Sequence, residues 1–123
     1  MIGVLVWVGI GAMGAAGAFA RFTATAIITR RRVTAFPWGT FSVNLSGGFA
    51  LGVLTGFGIG GDALLIFGTG FLGGYTTFST WMVESQRLGE DGDSSNLVLY
   101  LVGSMLAGVV TTGAGWVLAE HIA

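Results

Sequence analysis

Four stretches of this chain, residues 1–20, 33–61, 63–83 and 94–119, carry no charged residue. Each can cross a hydrocarbon core, which takes about 20 residues. We read four transmembrane helices from them, roughly 3–29, 38–58, 63–85 and 95–119, with very short connections. Charged residues make up only 9% of the 123-residue chain, and its mean hydropathy is +0.82. Soluble domains carry about 25%. The reading is therefore an all-α membrane protein, one four-helix transmembrane domain over 1–123. Ala18-Phe19-Ala20 looks like a signal-peptide cleavage site, but no Lys or Arg precedes Arg21, so no cleavage is expected. There is no cysteine, which excludes disulfides and thiolate metal sites. No basic tail or patch suggests nucleic-acid binding.

The third run is polar where a membrane helix is normally greasiest. It begins with Ala63, Leu64, Leu65, Ile66 and Phe67 and ends with Trp81, Met82 and Val83. Between them lies Gly73-Gly74-Tyr75-Thr76-Thr77-Phe78-Ser79-Thr80, with two adjacent glycines and four hydroxyls from Thr and Ser. Freed backbone groups at membrane depth are tolerated only against protein or a water-filled cavity. Broken membrane helices commonly offer carbonyls and helix ends to an ion near the midplane. The sequence thus predicts a third helix broken at its centre.

Glycine is abundant, 23 residues in all. Gly48, Gly52 and Gly56 repeat at i, i+4, i+8 in the second helix. Gly103, Ala107, Thr111 and Gly115 do so in the fourth, beside Ser104, Gly108 and Thr112; Gly11, Gly14 and Gly17 mark the first. Small ridges of this kind let helices approach closely in lipid. Four such helices make a thin bundle, so a dimer with sites at the subunit interface is expected.

Pro37 is read into the first turn of the second helix. The segment from Glu84 to Asp93 is read as a short hydrophilic loop. Arg30, Arg31, Arg32 and Arg87 all fall on one side of the expected topology, and no Arg or Lys falls on the other. The positive-inside rule then puts those connections in the cytoplasm and both termini outside.

Among polar residues within the runs, Arg21 has two readings. It snorkels or caps carbonyls near the end of helix one, or it attracts an anion. Asn44 lies one turn after Thr40 on the same face. It either makes an interhelical hydrogen bond or lines a pore with its amide. Phe78 and Trp81, three apart, either pack in the core or turn their positive ring edges toward an anion. Thr76, Thr77, Ser79, Thr80, Tyr100 and Ser104 are candidate donors beside them. No helix interior holds a carboxylate pair, a nucleophile–base pair or metal-ligand spacing, so no enzyme is expected. His121, at the terminus, is read as solvated.

Four blocks of these residues resemble the Fluc/CrcB family of fluoride channels. They are Gly14-Ala15-Ala16-Gly17-Ala18-Phe19-Ala20-Arg21-Phe22, then Pro37-Trp38-Gly39-Thr40-Phe41-Ser42-Val43-Asn44 with Gly48, Phe49 and Gly52, then the block from Gly70 to Thr80, and Tyr100 with Ser104. The third-helix block is highly specific; the first would be weak alone. The resemblance implies passive, fluoride-specific efflux that relieves fluoride toxicity, from the cell inner (plasma) membrane, through a multi-pass protein. It implies an antiparallel, dual-topology-type dimer in the lipid bilayer. It also implies a structural, non-transported sodium ion (Na+) at the dimer centre, held by backbone carbonyls of Gly73 and Thr76. The fluoride pathway falls on Asn44, Phe78, Trp81, Thr40, Ser79, Thr80, Tyr100 and Ser104, and Arg21 matches the family's first-helix arginine.

Two departures bear on this. The family's second pore aromatic is Phe; here it is Trp81, whose larger ring narrows, alters or closes that pore and whose N–H is an added donor. The one-sided arginines also fit a fixed orientation, as in heterodimeric channels built from paired homologous subunits. A small multidrug-type transporter is the alternative from another class. It needs a membrane-buried carboxylate in helix one, and residues 1–29 contain none.

Overall fold

The computed structural model describes residues 3–123; the first two residues of the expected domain 1–123 lie outside the described residues. Helix α1 spans Val4–Arg31 and α2 spans Trp38–Gly56. The third span is composite. Gly61–Ala63 is α-helical, Leu64–Leu72 is a π-helix and Gly73–Tyr75 is α-helical again, and we label the whole of 61–75 α3. Helical geometry lapses over residues 76–78, with Thr76 extended at φ −83° and ψ 160°, before α4 resumes over Ser79–Glu90. Helix α5 spans Ser94–Ile122. No strand is present among the described residues.

Helices α1 and α5, with 28 and 29 residues, are long and apolar enough to cross a membrane. At 1.5 Å per residue each is more than about 40 Å long, against a hydrocarbon core of about 30 Å. The outside of the bundle is apolar: Leu5 is 86% exposed, and Phe19, Phe22 and Val109 are each 74% exposed. Soluble monomers rarely expose apolar surface on this scale.

Two helix crossings are built on glycine. A Cβ on Gly17 would meet the Phe71 carbonyl, and one on Gly74 would meet the Gly14 carbonyl, so α1 and α3 touch backbone to backbone. In the same way Gly52 faces the Thr112 carbonyl and Gly115 faces the Phe49 carbonyl, which closes α2 on α5. Gly103, Gly108 and Gly113, also on α5, have no neighbouring backbone from another helix within 4 Å of such a Cβ.

The largest buried side chains collect at one end. Phe36, Leu88 and Tyr100 form a cluster with Trp38, Phe41, Trp81 and Leu97 packed against it. The Phe36 and Tyr100 rings meet edge-on, with centroids 5.4 Å apart.

Two local expectations are revised. The segment from Glu84 is helix as far as Glu90, and only the turn at residues 91–93 is left as a connection. Its charges do not end the helix because one face stays anchored. Leu88 and Ser85 are buried, Ser85 Oγ donates to the Trp81 carbonyl at 2.7 Å, and Gln86 Nε2 donates to Glu90 Oε1 at 3.2 Å. Gly92, at φ +72°, makes the turn that follows, and the Asp93 side chain caps α5 by accepting from the Asn96 amide. Pro37 stands immediately before α2 rather than inside its first turn.

Candidate functional site

The site centres on the non-helical residues 76–78 and on one side chain that holds them. Asn44, in the middle of α2, donates from Nδ2 to the Thr77 carbonyl at 2.9 Å and accepts the Thr77 amide at Oδ1 at 2.8 Å. A carboxamide reads a peptide group in this way because each carries one acceptor beside a donor. Gly47, three residues on, lets the chain come this close, since a Cβ there would collide with the Thr76 methyl.

This clamp changes the bonding of α3. In a regular helix the Thr77 amide would bond the Gly73 carbonyl, four residues back; here it is committed to Asn44. The Thr80 amide would likewise bond the Thr76 carbonyl, but it donates to Thr77 Oγ1 at 3.2 Å. Gly73 and Thr76 therefore present carbonyl oxygens without their usual helical partners. Thr77 acts twice, as the clamped peptide and as the hydroxyl capping the first turn of α4. Its Oγ1 also lies 3.2 Å from Thr80 Oγ1 and 3.4 Å from Ser79 Oγ.

Two cavities flank the clamp, and Thr77 lines both. One, of about 430 Å³, is bounded by Arg21, Phe22, Thr25, Thr29, Thr40, Thr77 and Thr80. It gathers five threonine hydroxyls and one guanidinium, with no carboxylate among its lining residues. Arg21 Nε is buried without a hydrogen-bond partner. The other cavity, of about 380 Å³, is bounded by Asn44, Gly73, Thr76, Thr77, Phe78 and Trp81 together with glycines and leucines of α2 and α3. Phe78 is 69% exposed on the isolated subunit, and its ring meets that of Trp81 edge-on at 5.7 Å and 77°.

The site residues marked in the sequence thus divide between the two cavities and positions outside both. Arg21, Thr40 and Thr80 share the first cavity; Asn44, Gly73, Thr76, Phe78 and Trp81 share the second. Tyr100 lines neither. It is fully buried in the aromatic cluster, and its hydroxyl donates to Glu84 Oε1 at 2.9 Å. Ser79 is exposed, and Ser104 Oγ is buried without a partner. Of the two readings of Asn44, the hydrogen bond between spans is the one its amide makes.

Sequence reasoning did not single out Glu84, which it placed in a loop, nor Thr25 and Thr29 of α1. The signal was present: Thr25 and Thr29 follow Arg21 at i+4 and i+8, on one helix face. Among the described residues no group of three or more His, Asp or Glu forms a metal-binding cluster.

The family model for CrcB-like protein, Camphor Resistance (CrcB), matches residues 8–116. The chain belongs to the CrcB family. Its members include the proteins named fluoride-specific ion channel FluC 2 in Mycobacterium bovis and Mycolicibacterium paratuberculosis. The first is 41% identical over 117 residues, covering 95% of this chain and 93% of the relative. The second is 42% identical over 122 residues, covering 99% and 100%. A relative of the same name, from Haloarcula marismortui, is 43% identical over 107 residues, 87% of each chain. These names describe channels, not enzymes. The match spans every residue that lines the two cavities, from Arg21 of α1 to Trp81 of α4.

Proposed function

We propose that this chain forms a fluoride-specific channel that lets fluoride leave the cell passively, across the inner (plasma) membrane, as a multi-pass antiparallel dimer. The observation that carries the reading is the Asn44–Thr77 clamp. It holds a peptide open at the centre of the third span, with hydroxyls on one side and freed carbonyls on the other.

Fluoride is small and strongly hydrated, so its path must replace water with many short donor contacts. Arg21 attracts the anion at the first cavity. Thr25, Thr29, Thr40, Thr77 and Thr80 then offer hydroxyl rotors that turn toward it as it moves. Phe78 adds its positive ring edge on the far side of the clamp. Beyond Arg21 these donors are neutral, which suits a passive path, because they bind the anion without holding it at a fixed charge. The absence of any acidic residue in α1 argues against a proton-coupled multidrug-type transporter.

The Gly73 and Thr76 carbonyls suit a structural sodium ion at the two-fold axis, with two oxygens from each subunit. Carbonyl dipoles released from helical bonding are appropriate ligands for a hard cation. Bound there, sodium would tie two interrupted spans together; no step of fluoride transfer passes through it.

A second reading is favoured by the placement of arginine. Arg32 and Arg87 line one cavity of about 270 Å³ at one end of the bundle, next to the helix end that carries Arg30 and Arg31. Glu84 and Asp91 line the same cavity, but orientation follows Arg and Lys, and their one-sided placement fits a subunit of fixed orientation within a heterodimer. Fluoride efflux from liposomes, compared with chloride efflux, tests both readings. Fluoride release from the chain alone supports the homodimer, and release only with a paired homologue supports the heterodimer. No fluoride flux in either preparation sinks the proposal. Phe78→Ile is expected to abolish flux while the dimer still elutes intact.

A further inference from the structure

Tyr75, the last helical residue of α3, lines neither of the two cavities that flank the clamp. Its hydroxyl instead lies 2.9 Å from Ser46 Oγ of α2. A neighbouring bond fixes the direction of this one. Ser46 Oγ gives its only proton to the Val43 carbonyl at 3.0 Å, so Tyr75 donates and Ser46 accepts. The ring is held on two further sides. It stacks on Phe71 with centroids 6.1 Å apart at 12°, and a Cβ on Gly47 would come within 3.2 Å of it.

This contact stands beside the Asn44 clamp and acts on the other half of the interruption. On the surface of α2, Gly47 lies between Asn44 and Ser46, and the chain from Tyr75 to Thr77 crosses there. A trans peptide points its N–H and C=O in opposite directions. By accepting the Thr77 amide, Asn44 therefore turns the Thr76 carbonyl away from itself. The Gly73 carbonyl belongs to the last turn of α3, Gly73–Tyr75, and Tyr75 ties that turn to Ser46. The two oxygens without helical partners are thus both referred to α2, through side chains two residues apart. Both residues that carry them line the 380 Å³ cavity.

We propose that Tyr75, through Ser46, is a positioning residue that sets the spacing of the Gly73 and Thr76 carbonyls, and with it this chain's preference for sodium over larger alkali cations. The proposal rests on the structural-sodium reading. The Tyr75 hydroxyl is occupied by Ser46, so it acts through the backbone and is not itself a ligand. Selectivity among hard cations follows cavity size, ligand number and flexibility, and a held pair of oxygens favours the smaller ion. Without the tie, the turn at Gly73 takes up several positions. Only some of them meet a small cation at both oxygens, and the apparent affinity falls by that fraction.

The test is thermal melting of the full chain in detergent during titration with sodium chloride or potassium chloride, with choline chloride holding ionic strength constant. The wild type is expected to gain stability from sodium at lower concentration than from potassium. Tyr75→Phe keeps the ring on Phe71 and removes the donor. Its sodium midpoint is expected to rise about fivefold, the worth of one neutral hydrogen bond, while its potassium midpoint moves less. Ser46→Ala is expected to reproduce this shift, and the double substitution to be no worse than either. Ser46→Thr, which keeps the acceptor, is expected to hold the wild-type midpoint. If the variants melt lower in choline chloride but keep both midpoints, the tie only stabilises the fold; this overturns the positioning role and leaves the sodium reading intact. Additive shifts in the double substitution overturn it as well. Midpoints that rise equally for both cations overturn the claim on size. A wild type that melts alike in all three salts removes the sodium reading and the proposal with it.

Discussion

Helix α2 makes two close contacts by opposite means. Against α5 it works by omission, since Gly52 and Gly115 let the backbones meet at the Thr112 and Phe49 carbonyls. Against the interrupted third span Gly47 makes room, but the contact is made by addition, since one Asn44 side chain reads both polar groups of the Thr77 peptide. In lipid the first device supplies dispersion over a broad face, because apolar surface gains little there from leaving its surroundings. The second supplies little area but fixes one peptide in one orientation. The difference separates what holds the bundle together from what shapes its site.

If that division is right, the largest effect comes from filling a crossing. Gly115→Leu places a side chain on the Phe49 carbonyl, which has no rotamer with which to yield. Overpacking costs about 1–3 kcal/mol where side chains can shift, and backbone against backbone exceeds that. The expected outcome is loss of the monodisperse peak on size exclusion. Gly113→Leu, two residues away with open space around it, is expected to elute as the wild type does. Equal damage from both would break the comparison, because position on α5 would then not matter.

Replacing the clamp is the next largest change. Asn44→Leu orphans the Thr77 amide and carbonyl, each worth about 1–3 kcal/mol when buried and unpaired. Melting in detergent is expected to fall while the α2–α5 contact persists. Asn44→Asp keeps an acceptor for the Thr77 amide but sets a carboxylate oxygen against the Thr77 carbonyl, so its melting loss is expected to be at least as large. If Asn44 served only as a pore donor, Asn44→Leu would lower flux and leave melting unchanged.

These two contacts also differ in how far they were legible beforehand. The glycine ridge Gly48, Gly52, Gly56 is a spacing, and helical spacing survives translation into structure. Which ridges find partners is not local information: Gly115 is buried against α2, while Gly103 and Gly108 on the same helix are not. Asn44 and the polar segment from Gly73 to Thr80 stood out because each is expensive in an apolar run. That Asn44 would bond Thr77, 33 residues away, depends on how two spans cross, which no single segment encodes. Glu84 was hidden for a related reason. Its charge reads as a loop until Tyr100, from another helix, supplies a buried donor. The π-helical stretch Leu64–Leu72 carried no residue pattern that announced it.

A middle-sized effect is expected at that pair. Tyr100→Phe keeps the ring among Phe36, Leu88 and Trp81 but removes the donor to Glu84. A hydrogen bond to a charged group contributes about 1.5–3 kcal/mol, with the upper part reserved for full burial. Glu84 is only half-buried, so a loss near the lower figure is expected in a denaturation series. A change no larger than that of an exposed α5 substitution such as Val109→Ala would show that the aromatic packing alone sets the seam.

The smallest change in stability, and the sharpest test of the clamp, is Thr77→Val. The isosteric side chain leaves the Asn44 bonds in place and removes the hydroxyl that accepts the Thr80 amide. Loss of a cap costs about 1 kcal/mol. Here the freed amide can turn back to the Thr76 carbonyl and restore the ordinary helical bond, which offsets part of that cost. The net shift in melting is expected to stay below about 1 kcal/mol. The restored bond has a second consequence, because it occupies an oxygen proposed to face sodium. Wild-type protein is therefore expected to melt higher in sodium chloride than in choline chloride, and Thr77→Val to lose most of that difference. If both proteins respond alike to sodium, the Thr76 carbonyl is not a ligand, and the clamp shapes the anion side of the site alone.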